Sequence, residues 1–491
     1  MTYLGGKIAS GAAWMVSMRL VVRSIGLLST IIVARLLSPA DFGLVALATS
    51  IYALVEFLGA FGFGEAIIQR HDTDRSHYDT AWTLNLAFGV LAATAMALMA
   101  GPVAGFFDEP RLELIIYVLA LTAFIDQAHN IGVEALRKEL EMQKIFQLQV
   151  VEKVVAFFTT VTLAYLYESY WALVAGMAIG TVAFSVTSFL ITPFRPRFSL
   201  ARFQELFVFS RWLFLTNILS YGDRKSGSII IGKLAGASSI GIFSVSQNIA
   251  HIPAVELVKP LNQALFPGYS KVKNEPGTLR RYYLKSLSLV SLVVFPTATG
   301  LAITAPGLIP LLLGEQWEQA IPVMQVLAVA GIAQALAIVN MSIHLAINQP
   351  HLTTVFNGVK VLLLIPSMIY AVFHWGAIGA AWAYLCVNLL LAPTRIWVVK
   401  RSLALRGRGI AEALWRPITA TLVMAAAVYG MGLYLGDAPV AVRLPGQITA
   451  GVVVFSAMVL GLWRLAGRPE GGEEFVMHQL RGLLPGRVRF G

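Results

Sequence analysis

Two arginines four residues apart, Arg19 and Arg23, stand inside the apolar run Gly11–Phe42, GAAWMVSMRLVVRSIGLLSTIIVARLLSPADF. Four residues make about one helical turn, so both cations share one face. In a helix that starts near Gly11 they sit about 12 and 18 Å into a hydrocarbon layer about 30 Å thick. Arg19 can snorkel to the surface. Arg23 is too deep for that and calls for water, a carboxylate or an anionic ligand. Two readings follow: a cation that binds an anionic substrate, or an assembly pair with a carboxylate on a neighbouring helix.

The same question applies to Glu56, Asp126, Glu152, Lys153, Arg211, Asp223, Arg224, Lys225, Glu256, Lys259 and Lys360, all of them within apolar runs. Arg224 and Lys225, with Lys360 midway along its helix, would make a hydrated cleft positive and suited to phosphate. Arg211 and Lys259 lie nearer helix ends and read as snorkelling. Glu256 and Lys259, three apart, read as a local pair. Glu56, Asp126 and Asp223 are the candidates for ion or proton coupling, because a carboxylate in low dielectric is harder to ionise. The competing role for them is neutralising the arginines, most of all for Asp223 beside Arg224. The expected coupling ion is H+ or Na+, with no organic cofactor.

Other chemistry finds no constellation. No GxxxxGK[ST] loop is present to hold a nucleotide. The eight histidines show no metal spacing, and single ones such as His129 or His251 read as packing residues. The one cysteine, Cys386, lies in an apolar run, which leaves no disulfide framework or thiolate site. The net charge of +11 is not gathered into a basic cluster interleaved with aromatics, so nucleic acid is not the expected partner.

The elements that must position these residues are membrane helices. Of 491 residues 57% are hydrophobic and 13% charged, about half the charged fraction of a soluble chain. The expected fold class is all-α and polytopic, with about fourteen transmembrane helices. Apolar runs place them near 11–37, 41–66, 78–103, 112–136, 144–167 and 170–192, then 205–233, 238–266, 282–306, 320–346, 352–373 and 376–399, and finally 413–435 and 446–466. Lysine and arginine concentrate in alternate connections, among them Arg137, Lys138 and Lys144, then Arg195, Arg197 and Arg202, then Lys400, Arg401, Arg406 and Arg408. By the positive-inside rule these connections and both termini are cytoplasmic.

An internal repeat organises the runs. Ile32–Gly43, IVARLLSPADFG, aligns with Ile230–Gly241, IIGKLAGASSIG, at an offset of 198 residues, and Ile32/Ile230, Leu36/Leu234 and Gly43/Gly241 match. The expectation is two parallel six-helix lobes, 1–198 and 199–405, around a central cleft, two added helices over 406–467, and a cytoplasmic tail, 468–491, mobile or lying on the surface. At that offset Arg224 corresponds to Gly26, one turn from Arg23. Between the lobes Leu200, Phe203, Leu206 and Phe207 recur at three to four residues, which suits an interfacial helix near 199–210 or a plain linker. Pro253, Pro260, Pro296, Pro322, Pro366 and Pro393 are expected to interrupt second-lobe helices and make that lobe the more deformable.

The run VARLLSPADFGLVALA, Val33–Ala48, followed by GFGEAIIQR, Gly62–Arg70, resembles the polysaccharide transporter family, the Wzx-type flippases within the superfamily of multidrug, oligosaccharidyl-lipid and polysaccharide exporters. Within that family it looks most like the colanic-acid and succinoglycan type. The resemblance implies translocation of polyprenyl-diphosphate-linked oligosaccharide from the cytoplasmic to the periplasmic leaflet by alternating access, in the bacterial inner membrane. Its implied partners are membrane lipid and the polysaccharide polymerase and export machinery. The first helix is also similar to that of the lipid II flippase branch, with an arginine three residues before a glycine, here Arg23 and Gly26. In that branch the arginine lines the cleft and is needed for function. The chain departs from the branch at Ser29, where a second arginine is expected, and Arg19 is the expected substitute. The alternatives from other classes are a multidrug antiporter of the same fold, which calls for a carboxylate-rich aromatic site, and an enzyme of glycan assembly, which calls for a sizeable extracytoplasmic loop.

Overall fold

A computed structural model describes residues 2–59, 63–69, 72–256, 258, 268–269, 272–436, 438–469, 471–475 and 477. Among the described residues all regular structure is helical. By packing the chain divides into two compact units, 1–244 and 245–491.

The first unit holds α1 (Thr2–Leu36), α2 (Pro39–Gly59), α3 (Phe63–Gln69), α4 (Arg75–Phe107), α5 (Arg111–Gln127), α6 (Gly132–Lys138), α7 (Met142–Tyr167), α8 (Trp171–Ile191) and most of α9 (Phe203–His251). The SPAD sequence after α1 explains the restart of the chain at α2. The Ser38 hydroxyl accepts from the Asp41 N–H at 3.3 Å, and the Asp41 carboxylate accepts from the Ser38 N–H at 3.0 Å. Pro39 fills the first helical position, where no N–H is needed. In lipid, close helix approach depends on small residues rather than on apolar contrast. On α8, Gly176 and Gly180 supply it: a Cβ at 180 would come within 2.9 Å of the Ala156 methyl, and one at 176 would strike Thr160 on α7.

Of the stretch near 199–210, expected to be an interfacial helix or a plain linker, residues 203–210 are helical. Residues 192–200 are non-helical, and Phe203 opens α9, whose first non-helical residue is Gly236 (φ 78°, ψ 177°). The reason is that α4 supplies the partners a helix would otherwise provide. The Arg197 N–H donates to Asp79 Oδ1 at 2.8 Å, the Ser199 N–H to Thr83 Oγ1 at 3.0 Å, and the Arg202 N–H to Thr80 Oγ1 at 3.3 Å. Asn130, fully buried, donates to the Phe194 carbonyl at 2.8 Å. Phe194 and Phe198 lie on the rings of Tyr78 and Trp82 at 5.7 and 5.3 Å. The segment is a strap laid along the basic end of α4, with every backbone donor named here satisfied by a side chain.

The second unit holds a π-helical turn, Ile252–Glu256, then α10 (Pro276–Leu313), α11 (Ala320–Ala346), α12 (Pro350–Ser402), α13 (Gly407–Tyr434) and α14 (Val440–Leu465). Its core joins Tyr283, Leu287, Val290 and Val294 of α10 to Val339 and Ile343 of α11 and Val399 of α12. α10 packs against α11, α13 and α14.

At 53 residues α12 is about 80 Å of helix, more than twice the hydrocarbon thickness. It is a helical hairpin. Gly376 (φ 60°, ψ −140°) turns the chain in a region open only to glycine. The pairs across it close in antiparallel order: a Cβ on Gly379 would strike the Ala371 carbonyl, Lys360 lies over Tyr384, Phe356 under Arg395, and at the ends Ser402 Oγ donates to Gln349 Oε1 at 3.4 Å. The breaks expected at prolines are corrected accordingly. Pro296 lies inside α10, and Pro366 and Pro393 inside α12, with no non-helical dihedral at any of them. Pro253 does sit in the π-helical turn, and Pro260 lies outside the described residues. Neighbouring helices can satisfy the carbonyl a proline frees, whereas the Gly376 dihedrals end a helix outright.

Among the described residues ten helices are long and apolar enough to cross a membrane, or eleven with the bent pair α5–α6 as one span. The protein is a multi-pass membrane protein.

Candidate functional site

Arg19 and Arg23 lie one turn apart on α1, both half-buried, with the Arg23 Nε out of reach of solvent. Lys225 is half-buried on α9. The backbones of Glu56, Asp223 and Arg224 are helical, in α2 and α9, and their side chains lie outside the described set, as do those of Arg211 and Glu256. Lys259 lies outside it altogether. Asp126, half-buried in the last turn of α5, is within electrostatic reach of His129 and Glu152. Glu152 itself accepts from Lys153 Nζ at 2.6 Å, so this coupling candidate belongs to a polar patch with a cation already in it.

In the second unit Lys360 is 7% exposed, and its Nζ lies 5.2 Å from the centroid of the Tyr384 ring. His251 stands on the same ring at 6.4 Å. Asn388, one turn further along α12, donates to the Tyr384 carbonyl at 2.8 Å and is 2% exposed. About three turns beyond Tyr384, Arg395 is also 7% exposed and lies 5.6 Å from the Phe356 ring, on which His344 stacks at 6.3 Å. Phe356 and Lys360 are four apart on one arm of the hairpin, so both cation and aromatic partners fall on one seam between the arms.

A lysine and an arginine held this deep carry a desolvation cost that the surroundings must offset. Ring quadrupoles contribute to that offset, and an anion entering beside them would add to it. Arg395 is the functional candidate that sequence reasoning missed. The available signal was its position inside the run 376–399, a cation within a predicted span. Other buried charges also escaped notice, among them Arg416 on α13 and Glu473 beyond α14, at 4% and 2% exposure.

The profile of the polysaccharide biosynthesis protein family matches residues 32–322, more than half of the chain. The lipopolysaccharide biosynthesis protein WzxC of Escherichia coli (strain K12) is 28% identical over 439 residues, covering 87% of this chain and 88% of that one. The succinoglycan biosynthesis transport protein ExoT of Rhizobium meliloti (strain 1021) is 25% identical over 448 residues, covering 87% and 88%. Among solved structures, the lipid II flippase MurJ in an inward closed conformation superposes with a TM-score of 0.74 at 14% identity, over 92% of this chain and 100% of that chain, which establishes a common fold. With the profile match spanning the repeat motif at both Ile32–Gly43 and Ile230–Gly241, the chain belongs to the polysaccharide biosynthesis protein family, the Wzx-type transporters its sequence resembles.

Proposed function

We infer that the protein is a transporter, a flippase that moves polyprenyl-diphosphate-linked oligosaccharide from the cytoplasmic to the periplasmic leaflet of a bacterial inner membrane by alternating access. The observation that carries this reading is the pair of buried cations on α12, Lys360 and Arg395, each laid on an aromatic ring within a membrane helix. Intramembrane cations suit a diphosphate. An antiporter of organic cations needs the opposite sign. The names of the relatives, one in lipopolysaccharide biosynthesis and one in succinoglycan transport, support the same substrate class.

In this reading Arg19, Arg23, Arg224, Lys225 and Lys360 receive the diphosphate, and Arg395 extends that set. The sugars follow the head group and the polyprenyl tail stays in lipid. Glu56, Asp126 and Asp223 are the carboxylates through which H+ or Na+ would couple, or a membrane potential acts directly, since a charged head group must cross a voltage. Both termini lie in the cytoplasm by the basic connections. The polymerase and export machinery are the partners that would consume the flipped product.

The test is the leaflet distribution of polyprenyl-diphosphate oligosaccharide in cells carrying wild type, Arg23→Ala, Arg224→Ala or Lys360→Ala, with insertion checked for each. Accumulation on the cytoplasmic side in the variants supports the reading and the site together. Normal flipping by the variants removes the site. An unchanged distribution after deletion of the gene removes the flippase and leaves the multidrug antiporter.

A further inference from the structure

The tail was expected to be mobile or to lie on the surface, and for its first residues that is corrected. Glu473 is buried, and its carboxylate is held by Arg416 of α13, which donates from Nε to Oε1 at 2.7 Å and from Nη2 to Oε2 at 3.3 Å. Ser288 of α10 adds a third donor to Oε2 at 3.4 Å and accepts from the Gly472 N–H at 3.3 Å. Two glycines let the chain come this close. A Cβ at 472 would meet the Leu289 backbone nitrogen at 2.7 Å, and one at 471 would meet Glu473 Oε2 at 2.7 Å. Outside the pocket Lys285 pairs with Glu474 at 3.4 Å.

Directly beside this pair lies a cavity of about 390 Å³, lined among others by Leu284, Ser288, Trp415, Arg416, Pro469 and Gly471. Its polar lining comprises Arg416 itself, Ser288 and the Glu412 carboxylate, which accepts from Arg408 Nε at 2.8 Å, and the rest is mostly apolar. It sits where α10 and α13 begin and α14 ends, the end of this unit that carries Arg280, Arg281, Arg406, Arg408 and Arg464. By the positive-inside rule that is the level of the anionic cytoplasmic lipid headgroups.

An arginine cannot discharge, and leaving one buried without its anion costs far more than the pair itself contributes. Glu473 is therefore removable only if another anion takes its place. The group best matched to a guanidinium fork, and abundant at that surface, is phosphate. The segment carrying Glu473 is glycine-rich, and among its described residues this carboxylate makes the shortest polar contact to the helices. The cavity next to it leaves room for a headgroup to enter without rearranging the helices. We propose that Arg416 and Ser288 form a phosphate-binding site at the foot of α10 and α13 that the protein's own tail occupies through Glu473, so that an anionic phosphate group entering the neighbouring cavity displaces the tail. The tail is then a tethered competitor, and its attachment reports the phosphate chemistry of the inner leaflet. This site lies apart from Lys360 and Arg395 and does not depend on what the protein transports.

Amide hydrogen exchange of the full-length chain in nanodiscs tests it, read on the peptide covering 469–475. In phosphatidylcholine the peptide should be protected. Phosphatidylglycerol should raise its exchange about tenfold or more, saturating with lipid fraction. Glu473→Gln should already exchange fast in phosphatidylcholine and respond little to the second lipid. Glu473→Asp, which keeps the charge but shortens the reach, should release at a lower phosphatidylglycerol fraction, and it carries the test if the glutamine variant does not fold. Inorganic phosphate added to phosphatidylcholine discs separates the sources: release there identifies a soluble phosphate, and release only by the lipid identifies a headgroup. Equal release by potassium chloride at matched ionic strength means simple screening and overturns the proposal. So does exchange that stays the same in both lipids and in phosphate.

Discussion

Gly43 and Gly241 each press against the other's helix start: a Cβ on Gly43 would strike the Ala237 carbonyl, and one on Gly241 would strike the Pro39 carbonyl. The four residues form two pairs at the repeat offset of 198, Pro39 with Ala237 and Gly43 with Gly241. The contact is thus its own counterpart at the repeat offset. It also explains why α9, which opens the second repeat, packs largely with the first unit and places the division of packing at 244/245. Gly43→Ala and Gly241→Ala should each destabilise by about 1–3 kcal/mol through enforced separation of the backbones. The two effects should be less than additive, because either substitution opens the same crossing. Thermal unfolding of the purified single and double variants measures both points.

Replacing Lys360 by methionine removes the charge at nearly constant side-chain volume. Lys360→Met should keep or slightly raise the melting temperature, since exchanging a buried ion for an apolar chain of similar volume is often neutral. Transport should fall by about ten- to a hundredfold, the loss of one charge-assisted contact. Lys360→Arg should restore part of it. A fall in melting temperature that matches the loss of transport would reassign Lys360 to structure.

Asn130 ties the strap to the helices beneath it, donating to the Phe194 carbonyl at 2.8 Å and accepting from the Gly132 N–H at 2.9 Å. Asn130→Ala removes the side-chain acceptor of the buried Gly132 N–H and leaves the Phe194 carbonyl to Arg195 Nη1 alone, which donates at 2.9 Å, and should cost about 1–3 kcal/mol. Protease susceptibility between 192 and 202 should rise with it. An unchanged digestion pattern would show that the Arg197 and Ser199 contacts hold the strap alone.

The strap also has an acid limb. The Ser76 hydroxyl, at 2.6 Å, and then His77 hold the Asp74 carboxyl well below the usual carboxylate range, and Arg202 contributes at 3.2 Å. A depressed carboxylate stabilises the folded form above its unfolded value of about 4, and that contribution fades as the pH falls. The melting-temperature difference between wild type and Asp74→Asn should shrink from about pH 6 to about pH 3. A difference constant over that range would mean that Asp74 acts only as a helix cap.

What the sequence determined by itself follows from the cost of polar groups in hydrocarbon. Apolar runs of membrane length gave the class, Arg and Lys in alternate connections gave the expected topology, and the match of Gly43 with Gly241 gave the expected repeat. Arg23 and Lys360 stood out because a charge in such a run is expensive wherever it points. Tertiary structure decided which face each helix turns inward. On α12, Leu362 is 71% exposed and Leu364 is 2% exposed, yet both sit in the same apolar run. In water the exposed one would be polar and the pattern legible, whereas lipid accepts leucine on either side. Partners distant along the chain were equally hidden. Arg395 finds Phe356 only because Gly376 folds α12 back on itself, and Glu473 finds Arg416 only because Gly471 and Gly472 let the tail reach α10. Composition marks that tail as polar and glycine-rich, which usually means a free end. A single buried arginine needing an anion reverses the outcome.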